Sequence, residues 1–376
     1  ESLAGGTLLM TPLKAPDGTD YTYTLQERTV PGYLPGVLVG PVASADGSSY
    51  TYVAENTPTE LLIDKIASDT GAQQQAHLIL VEGDGSDYPG ATVLDEWDSC
   101  TDGTNPDGSF KPHTITGLLE VNRQYTLIET VAPDGYLTSS NITFTYLEDG
   151  TTSYSGTNRI TVTDPPVTVK FAKVDNLTNE LVAGAQFTLY RYDDWLEHRT
   201  TTTQATPVYS FTSQTTYVVV SGLLQADTYY TLVETAAPAG YQLNAATFTF
   251  RTPTNTAPDP IVVRMMDPRI YEFLKLDSST GLAVAEAEMC IINEATGAVI
   301  EQWMSGTTPH EIVNSDSSGQ PILRTGVTYQ LVELQTPSGY VLTSTSVSFQ
   351  LDSDGLINGG TSVTMYNTPV TTTPPT

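Results

Sequence analysis

The stretch YTLIETVAPDGY, residues 125–136, occurs in four variants along this chain. The other variants are YTLQERTVPGY (23–33), YTLVETAAPAGY (230–241) and YQLVELQTPSGY (329–340). Each has a Tyr, a Leu two residues later and a Glu two residues further on, followed by Pro and Gly-Tyr. Side chains of a β-strand alternate between its two faces, so the Tyr, Leu and Glu share one face. Strands are depleted in Glu, so a Glu on this face needs an explanation.

The positions of the four glutamates give the size of a repeat. The separations from Glu27 to Glu129, from Glu129 to Glu234 and from Glu234 to Glu333 are 102, 105 and 99 residues. A repeat of that length is one small domain and is too long for a solenoid repeat. We predict a partial first repeat (1–58, matching the C-terminal part of a domain), a second repeat (59–166), a third (167–268) and a fourth (269–369). A Thr/Pro-rich linker follows at 370–376.

Strand-like sequence dominates the chain. Runs such as ITFTYLE, TFTFRT, SVSFQLD and YVVVSGL alternate apolar with polar residues and are bounded by Gly, Pro, Asp and Asn. The segment DDWLEHR (193–199) is the one candidate for a helical turn. Many short strands separated by turn signals predict an all-β chain of antiparallel β-sandwiches.

The composition narrows the class of protein. A net charge of −28 argues against binding to nucleic acid or to anionic membranes, because both need clustered Lys and Arg. An acidic surface suits an exported protein. Cys100 and Cys290 lie in different repeats, so we predict no structural disulfide. No stretch has the length of a transmembrane helix, and residues 1–30 lack the pattern of a signal peptide.

No sequence pattern indicates an enzyme with turnover. The four histidines lack the spacing of metal ligands, and there is no nucleophile elbow or phosphate-binding loop. The Asp-Gly runs LDSDG and EGDGSD are typical of turns and do not fit the spacing of a calcium-binding loop. We therefore expect no cofactor and no metal, and any chemistry is expected to be intramolecular and to occur once.

Three of the six lysines open the three complete repeats. They are Lys65 in LLIDKIASD, Lys173 in VKFAKVD and Lys275 in YEFLKLD. Counting back by twos places large apolar residues on the same face as each lysine. The three lysines are therefore predicted to point into the core, where Lys rarely occurs unpaired.

Each repeat also ends alike, with a strand, an Asn or Asp, and a Pro within two residues. The four terminal residues are Asn56, Asp164, Asp267 and Asn367. In the complete repeats these residues share a face with apolar neighbours, so they too are predicted to be buried. Each complete repeat is thus predicted to bury one Lys, one Glu and one Asn or Asp.

Two interpretations of such a buried triad remain open. One is an ion pair or hydrogen-bonded cluster, because unpaired buried polar groups are costly. The other is a reaction, because burial lowers the pKa of a lysine and raises that of a carboxylic acid. A neutral lysine amine could attack the side-chain carbonyl of Asn or Asp while a protonated Glu shuttles protons. The product would be an amide, with loss of ammonia from Asn or of water from Asp.

Four sequence features together resemble a known family. They are Lys-x-Asp (KVD, KLD), Gly-Ala-x-Phe (GAQF, 184–187), YTLVETAAPAGY and a terminal strand ending in Asn or Asp before Pro. This combination resembles the Cna protein B-type, SpaA-like pilin domains of Gram-positive surface proteins, over essentially residues 1–369. The resemblance implies tandem transthyretin-like (prealbumin-like) Greek-key β-sandwich domains in a rod. It also implies autocatalytic Lys–Asn or Lys–Asp isopeptide bonds promoted by the Glu.

Carried onto this sequence, the resemblance implies three isopeptide cross-links, each promoted by a glutamate. They are Lys65–Asp164 with Glu129, Lys173–Asp267 with Glu234, and Lys275–Asn367 with Glu333. The first repeat has Glu27 and Asn56 but no matching lysine, so both residues are expected to be unpaired. Lys14 lies in turn-like sequence and is predicted to be a surface residue. The second repeat departs from the pattern, with DKIASD in place of Lys-x-Asp.

The function implied is a structural stalk or pilin region of a Gram-positive cell-surface protein. Its expected partners are the cell wall, reached through a region C-terminal to this sequence, together with sortase and other pilin subunits. No Tyr-Pro-Lys pilin motif and no Leu-Pro-x-Thr-Gly signal is present. The alternative is an adhesin module that binds a host protein or glycan through loops of the second and third repeats. Those loops are the acidic insertion 81–109, with Trp97 expected to be exposed, and RYDDWLEHR with Trp195.

Overall fold

A computed structural model describes residues 16–19, 27–45, 50–201, 203–254, 260–342 and 345–370. These ranges contain twenty-four strands and one short helix, so the prediction of an all-β chain is confirmed. The chain divides into two compact units. One comprises residues 1–167, 222–226 and 253–258, and the other comprises 168–221, 227–252 and 259–376.

The first compact unit contains an isolated hairpin and a two-sheet sandwich. The hairpin pairs β1 with β2 in antiparallel fashion. The sandwich has one sheet in the order β6-β3-β9 and a second in the order β5-β4-β7-β8. The strands are β1 (Val37–Ala43), β2 (Tyr50–Glu55), β3 (Glu60–Ala67), β4 (His77–Glu82), β5 (Val93–Asp98), β6 (His113–Thr116), β7 (Gln124–Val131), β8 (Ile142–Thr145) and β9 (Arg159–Asp164).

The second compact unit repeats this sandwich twice. The third repeat contains β10 (Thr168–Asp175), β11 (Gln186–Arg191), α1 (Tyr192–His198), β12 (Pro207–Thr212), β13 (Val218–Ser221), β14 (Tyr229–Ala236), β15 (Phe248–Arg251) and β16 (Ile261–Asp267). The fourth contains β17 (Ile270–Asp277), β18 (Glu288–Asn293), β19 (Val299–Met304), β20 (His310–Val313), β21 (Thr328–Gln335), β22 (Tyr340–Leu342), β23 (Ser346–Gln350) and β24 (Ser362–Pro369). The sheet orders are β13-β10-β16 with β12-β11-β14-β15, and β20-β17-β24-β22 with β19-β18-β21-β23.

The first and last strands of each sandwich pair in parallel, whereas every other named pair of strands in the described ranges is antiparallel. The parallel pairs are β3–β9, β10–β16 and β17–β24. The strand pattern of the sequence predicted antiparallel sandwiches, and these three parallel pairs depart from that prediction. The parallel pairing follows from the topology, because the chain enters and leaves the sandwich in the same direction along one sheet.

The cores are built from the inward faces of both sheets. In the second repeat, Leu61 and Ile63 of β3 pack with Leu78 of β4, Leu127 of β7 and Val162 of β9. The recurring phrase forms an inner strand of the sheet that does not contain the first and last strands. This strand is β7, β14 or β21. Its Tyr and Leu are fully buried, as their period-two alternation predicts.

The expectation that Trp97 is exposed is wrong. The acidic insertion 81–109 contains strand β5, and Trp97 on that strand is only 7% exposed within the core of the second repeat. Its neighbours Glu96 and Asp98 face solvent. Alternate residues of a strand face opposite sides, so acidic neighbours on the outer face do not show that Trp97 is exposed.

The predicted helical turn is present, and a tight turn ends the recurring phrase. The Pro133-Asp-Gly-Tyr136 segment is a turn in which the Tyr136 N–H donates to the Pro133 carbonyl at 3.1 Å. Gly135 at its tip has a φ of 90°, which a glycine adopts without strain. The DDWLEHR segment forms α1, and both cysteines are free thiols. No helix in the described ranges is long and apolar enough to cross a membrane.

Candidate functional site

The fourth repeat holds a closed hydrogen-bonded triad in its core. Lys275 lies on β17, Glu333 on β21 and Asn367 on β24. The Lys275 Nζ donates to Asn367 Oδ1 at 2.7 Å and to Glu333 Oε2 at 3.0 Å. The amide nitrogen of Asn367 donates to Glu333 Oε1 at 2.8 Å. Every pair in the triad is thus in direct contact, and no member is more than 7% exposed.

The second and third repeats place the same three positions together, with Asp in place of Asn. Lys173 forms an ion pair with Asp267, and its Nζ lies 3.0 Å from Glu234 Oε1. Lys65 forms an ion pair with Asp164, and its Nζ lies 3.6 Å from Glu129 Oε1. These six residues are also at most 7% exposed. The structure therefore brings together all nine residues that the sequence assigned to triads.

Strand register explains why the triads assemble. Because β10 and β16 run in parallel, Lys173 pairs with Met265 while Asp267 pairs with Asp175, two residues further along. Lys65 is likewise paired with Val162, two residues before Asp164. A lysine and an acceptor offset by two residues on adjacent strands share a face. The Glu then approaches from the opposing sheet.

Burial shifts the pKa of one residue in each triad in the direction that amide formation would need. Burial raises the pKa of Glu129 to about 8, and its hydrogen bond with Asp164 acts in the same direction. Burial also raises the pKa of Asp267 to about 7, against the opposing effect of Lys173. Burial lowers the pKa of Lys275, although Glu333 opposes it. Each shift favours the uncharged form of the side chain.

A backbone amide orients two of the glutamates. The Ser139 N–H donates to Glu129 Oε2 at 2.6 Å, and the Asn244 N–H donates to Glu234 Oε2 at 2.9 Å. In both repeats this leaves Oε1 facing the lysine. The sequence did not indicate these two N–H donors, because every residue type other than Pro carries a main-chain N–H. Their one signal is their position, ten residues after the Glu in both of these repeats.

The Gly-Tyr of the recurring phrase has a structural role. The Tyr241 hydroxyl donates to Asp175 Oδ2 at 2.8 Å, and the Tyr340 hydroxyl donates to Asp277 Oδ2 at 3.2 Å. Both aspartates belong to the Lys-x-Asp motif, and both also accept main-chain N–H bonds in the turn that follows. In the second repeat, where that motif is altered, Tyr136 donates instead to Asp69 at 3.3 Å. These contacts fix the turn beside the triad.

The first repeat contains an incomplete version of the site. The Asn56 amide nitrogen donates to Glu27 Oε1 at 2.7 Å, and the Gly36 N–H donates to Glu27 Oε2 at 2.7 Å. Glu27 and Asn56 therefore contact each other, whereas the sequence led us to expect both to be unpaired. Lys14 lies outside the described residues.

A histidine of the second repeat lies between two carboxylates of the acidic insertion. His113 contacts Asp95 and Asp102 at 2.9 Å each, and its ring stacks on Trp97 with centroids 4.2 Å apart. The fourth repeat has a similar stack, of His310 on Trp303. Among the described residues, no group of three or more His, Cys, Asp or Glu side chains could hold a metal ion.

A family model matches the second half of the chain. The model is SpaA, described as a prealbumin-like fold domain, and it matches residues 167–264 and 269–368. The chain belongs to the SpaA family. The two matched SpaA domains correspond to the third and fourth repeats, and the sandwich of the second repeat has the same sheet orders as that of the third. Tandem prealbumin-like domains are therefore the architecture of this chain.

Several solved structures are similar to this chain at low identity. The Bacillus anthracis TIE protein is 16% identical, with a TM-score of 0.31, over 89% of this chain and 58% of that one. The streptococcal ancillary pilin is 15% identical, with a TM-score of 0.30, over 83% and 100%. The pilus adhesin SpaC from Lactobacillus rhamnosus GG is 15% identical, with a TM-score of 0.27, over 89% and 47%. The chain thus spans about half the length of the first and third of these proteins. No curated protein matches the sequence.

Proposed function

We propose that this chain is a structural stalk or pilin region of a Gram-positive cell-surface protein, stabilised by autocatalytic isopeptide bonds. The bonds are Lys65–Asp164, Lys173–Asp267 and Lys275–Asn367. The observation that carries the proposal is the recurrence of a buried Lys, Glu and Asn or Asp at the same three strand positions in three repeats. Membership of the SpaA family supports the domain type.

In the fourth repeat the reaction releases ammonia. The neutral Nζ of Lys275 attacks Cγ of Asn367, and a C–N bond forms as the bond from Cγ to Nδ2 breaks. Glu333 contacts both nitrogens, so it can accept a proton from Nζ and deliver one to the departing Nδ2. Burial assists by lowering the pKa of Lys275, because only the neutral amine is a nucleophile.

In the second and third repeats the reaction releases water. A proton moves from the lysine ammonium to the aspartate, giving a neutral amine and a carboxylic acid. The amine then attacks Cγ, and one aspartate oxygen leaves as water. Burial raises the pKa of Asp267 to about 7, which eases the protonation of this aspartate that the step requires. Burial also raises the pKa of Glu129 to about 8, so Glu129 can hold a proton near neutral pH and pass it on.

The alternative is that the triads remain buried ion pairs. Such pairs need complete hydrogen bonding to offset the desolvation of both charges. In the second and third repeats the side chains of the paired lysine and aspartate are at most 1% exposed, so both charges are fully desolvated. Amide formation removes both charges at once, so it relieves this cost where an ion pair would not.

The proposed bonds have a mechanical consequence. Each joins the strand by which the chain enters a sandwich to the strand by which it leaves. Tension along the chain would then pass through the cross-link and bypass the sandwich interior. By analogy with a disulfide that closes a loop of similar length, each bond stabilises the fold by about 4–5 kcal/mol through the unfolded state. The kinetic gain against pulling and proteolysis is the larger benefit for a stalk.

The intact mass of the denatured protein tests the proposal. We expect a deficit of two waters and one ammonia relative to the sequence. The variants Glu129→Ala, Glu234→Ala and Glu333→Ala should each restore one leaving group, namely water, water and ammonia. A full, unmodified mass would show that the triads are ion pairs and would overturn the cross-links.

The adhesin alternative loses much of its support. Trp97, its candidate contact in the second repeat, is buried under His113. Trp195 of α1 is partly covered by Tyr192 and Arg199 of the same segment. We therefore place the partners of the stalk among other pilin subunits and the cell wall, joined by sortase.

A further inference from the structure

The third repeat contains two aspartates that could accept the same lysine. Asp175 and Asp267 occupy paired positions on β10 and β16, and both are buried. Lys173 precedes Asp175 by two residues on β10, so the two side chains belong to the same face. Two residues along a strand span about 6.6 Å, whereas the diagonal from Lys173 to Asp267 on the adjacent strand spans about 8 Å. By main-chain distance alone, Asp175 is the nearer acceptor.

Side-chain contacts nevertheless separate the two carboxylates. Lys173 forms its ion pair with Asp267. Asp175 is bound by a different set of donors, which begins with the turn after β10. Its Oδ1 accepts main-chain N–H bonds from Leu177 at 2.7 Å and from Thr178 at 3.1 Å. One oxygen of Asp175 is therefore held by the main chain.

The other oxygen of Asp175 is held by Tyr241 and Arg269. Oδ2 accepts the Tyr241 hydroxyl at 2.8 Å, Arg269 Nε at 3.0 Å and Arg269 Nη2 at 2.6 Å. Arg269 Nη2 also donates to the Tyr241 hydroxyl at 2.9 Å. The Asp175 side chain is fully buried and that of Arg269 is only 12% exposed, so the pair is shielded from solvent. Charge-assisted hydrogen bonds of this kind are roughly twice as strong as neutral ones.

The two carboxyl groups consequently differ in protonation. Burial alone would raise the pKa of Asp175, but the bonds from Arg269, Tyr241 and the two main-chain N–H groups lower that pKa below its ordinary value. Burial raises the pKa of Asp267 to about 7. An amine forms an amide with a carboxylic acid and not with a carboxylate, because the carboxylate would have to expel an oxide. Asp267 is therefore the group with access to the reactive form.

The second repeat does not have this choice to make. Ala67 lies two residues after Lys65 and pairs with the acceptor Asp164. No second carboxyl group stands at that position. Tyr136 bridges Pro166, two residues after the acceptor, just as Tyr241 of the third repeat bridges Arg269. A proline thus suffices where there is no carboxylate to hold.

The fourth repeat has two candidates of different chemistry. Asp277 follows the lysine by two residues and pairs with Asn367. The amide of Asn367 carries ammonia as a leaving group, whereas the carboxylate of Asp277 has none. Tyr340 donates to Asp277, and Pro369 occupies the position of Arg269. The arginine thus occurs in the complete repeat where both candidates are aspartates.

We propose that Arg269 and Tyr241 select the acceptor of the third repeat: by binding Asp175 they withhold it from Lys173 and leave Asp267 as the site of amide formation. This inference rests on the proposed function, because it concerns the choice of acceptor in the same reaction. Arg269 acts through Asp175 and is a specificity-determining residue. Its own main chain is held by the fourth repeat, where the Asn314 N–H donates to the Arg269 carbonyl at 2.8 Å.

Removal of the two donors should make Asp175 reactive. Burial then favours its protonated form, since the strongest opposing contacts are gone. The neutral Nζ of Lys173 attacks Cγ of Asp175, and a C–N bond forms as one C–O bond breaks. The hydroxyl leaves as water with a proton from Nζ. The loss equals that at Asp267, so the junction has to be located by fragmentation.

Removal of the natural acceptor tests the selection. In Asp267→Ala, with Arg269 and Tyr241 intact, we expect Lys173 to stay free, so the chain loses one water and one ammonia. When Tyr241→Phe and Arg269→Met are added, we expect a second water to be lost again. Intact mass of the denatured full chain measures both losses. Fragmentation should place the restored junction at Lys173 and Asp175.

Arg269→Lys is the matched control, because it keeps a positive charge beside Asp175. Combined with Asp267→Ala, it should leave Lys173 free. The pair Tyr241→Phe with Arg269→Met, in a chain that keeps Asp267, should still lose the water. Its junction should be divided between Asp267 and Asp175.

Three results would overturn the inference. A Lys173–Asp175 bond in Asp267→Ala alone would show that the two donors do not withhold Asp175. A free Lys173 in the triple variant would show that Asp175 is no competing acceptor. A third repeat that stays uncross-linked in Tyr241→Phe with Arg269→Met would make these residues necessary for the bond itself and not for the choice.

The wild-type mass separates these results from a failure of the proposed function. If the wild type shows its deficit of two waters and one ammonia, the three results above overturn the selection alone. A wild-type chain of unmodified mass would overturn the proposed function, and the selection with it.

Discussion

Lys173 and Asp267 are held on adjacent parallel strands with an offset of two residues, so that their side chains meet on the inner face of the sheet. The offset recurs in the second and fourth repeats. Because it is fixed by main-chain pairing, the two reacting groups are placed before any reaction occurs. What varies between the repeats is the acceptor, which is Asp in two and Asn in one.

The leaving group should depend on whether the acceptor is Asp or Asn. In Asp267→Asn the third repeat acquires the acceptor of the fourth, with little change in volume. We expect the bond to form still, now with loss of ammonia in place of water. Intact mass of the denatured protein distinguishes the two losses. A third repeat that stays uncross-linked in this variant would contradict the shared mechanism.

Glu333 should be needed as a proton carrier and not only as a contact. Glu333→Gln keeps the size of the side chain and can still bond Lys275 and Asn367, but it cannot accept and return a proton. We expect the ammonia deficit of the fourth repeat to disappear, with a loss of about 4–5 kcal/mol in the free energy of unfolding of that repeat. Denaturant unfolding and intact mass measure the two effects.

Lys275→Arg is the matched control for this loss of stability. It keeps a positive charge next to Glu333 and prevents the amide, so its unfolding free energy should fall by a similar amount. If either variant retained the mass deficit, the assignment of the bond to Lys275 or the role given to Glu333 would be wrong.

Stability without the second-repeat bond should fall as pH rises. In Lys65→Met no bond can form, and loss of the positive charge removes one influence that lowers the pKa of Glu129. The folded state then keeps the Glu129 proton at least up to about pH 8, whereas the unfolded chain releases it near pH 4.5. The folded state binds the extra proton, so stability is highest below pH 4.5 and declines between these values, by at most about 1.4 kcal/mol per pH unit.

Urea unfolding at about pH 5.0 and about pH 7.5 measures this slope. Both pH values lie between the unfolded and the folded pKa of Glu129. The double variant Lys65→Met with Glu129→Gln should lose this slope, because Gln does not titrate. A slope that persists in the double variant would assign the pH dependence to other groups.

The two tryptophans Trp97 and Trp195 should differ sharply in their contribution to stability. Trp97 is 7% exposed in the core and stacks on His113, so Trp97→Ala should destabilise the second repeat by about 3–5 kcal/mol. Trp195 lies on α1, which has no buried residue, so Trp195→Ala should cost about 1 kcal/mol or less. Quenching by iodide should likewise leave Trp97 protected. Equal effects would contradict the burial of Trp97.

The sequence predicted the residues of the triads better than their surroundings. The inward positions of Lys65, Glu129 and Asp164 followed from alternation alone, because a period of two assigns each residue of a strand to one face. The main-chain donors at Ser139 and Asn244 could not be predicted, because backbone amides carry no residue-type signal. Trp97 was misplaced since its acidic neighbours belong to the outer face of the same strand.

By itself, the sequence determined the repeat length, the all-β class and the residues of each triad, because these depend on spacing and periodicity along the chain. Only the tertiary structure decided that the first and last strands pair in parallel, and that Glu27 and Asn56 contact each other without a described lysine. These relationships join residues far apart in sequence, and they exist only once the sheets have closed around a common core.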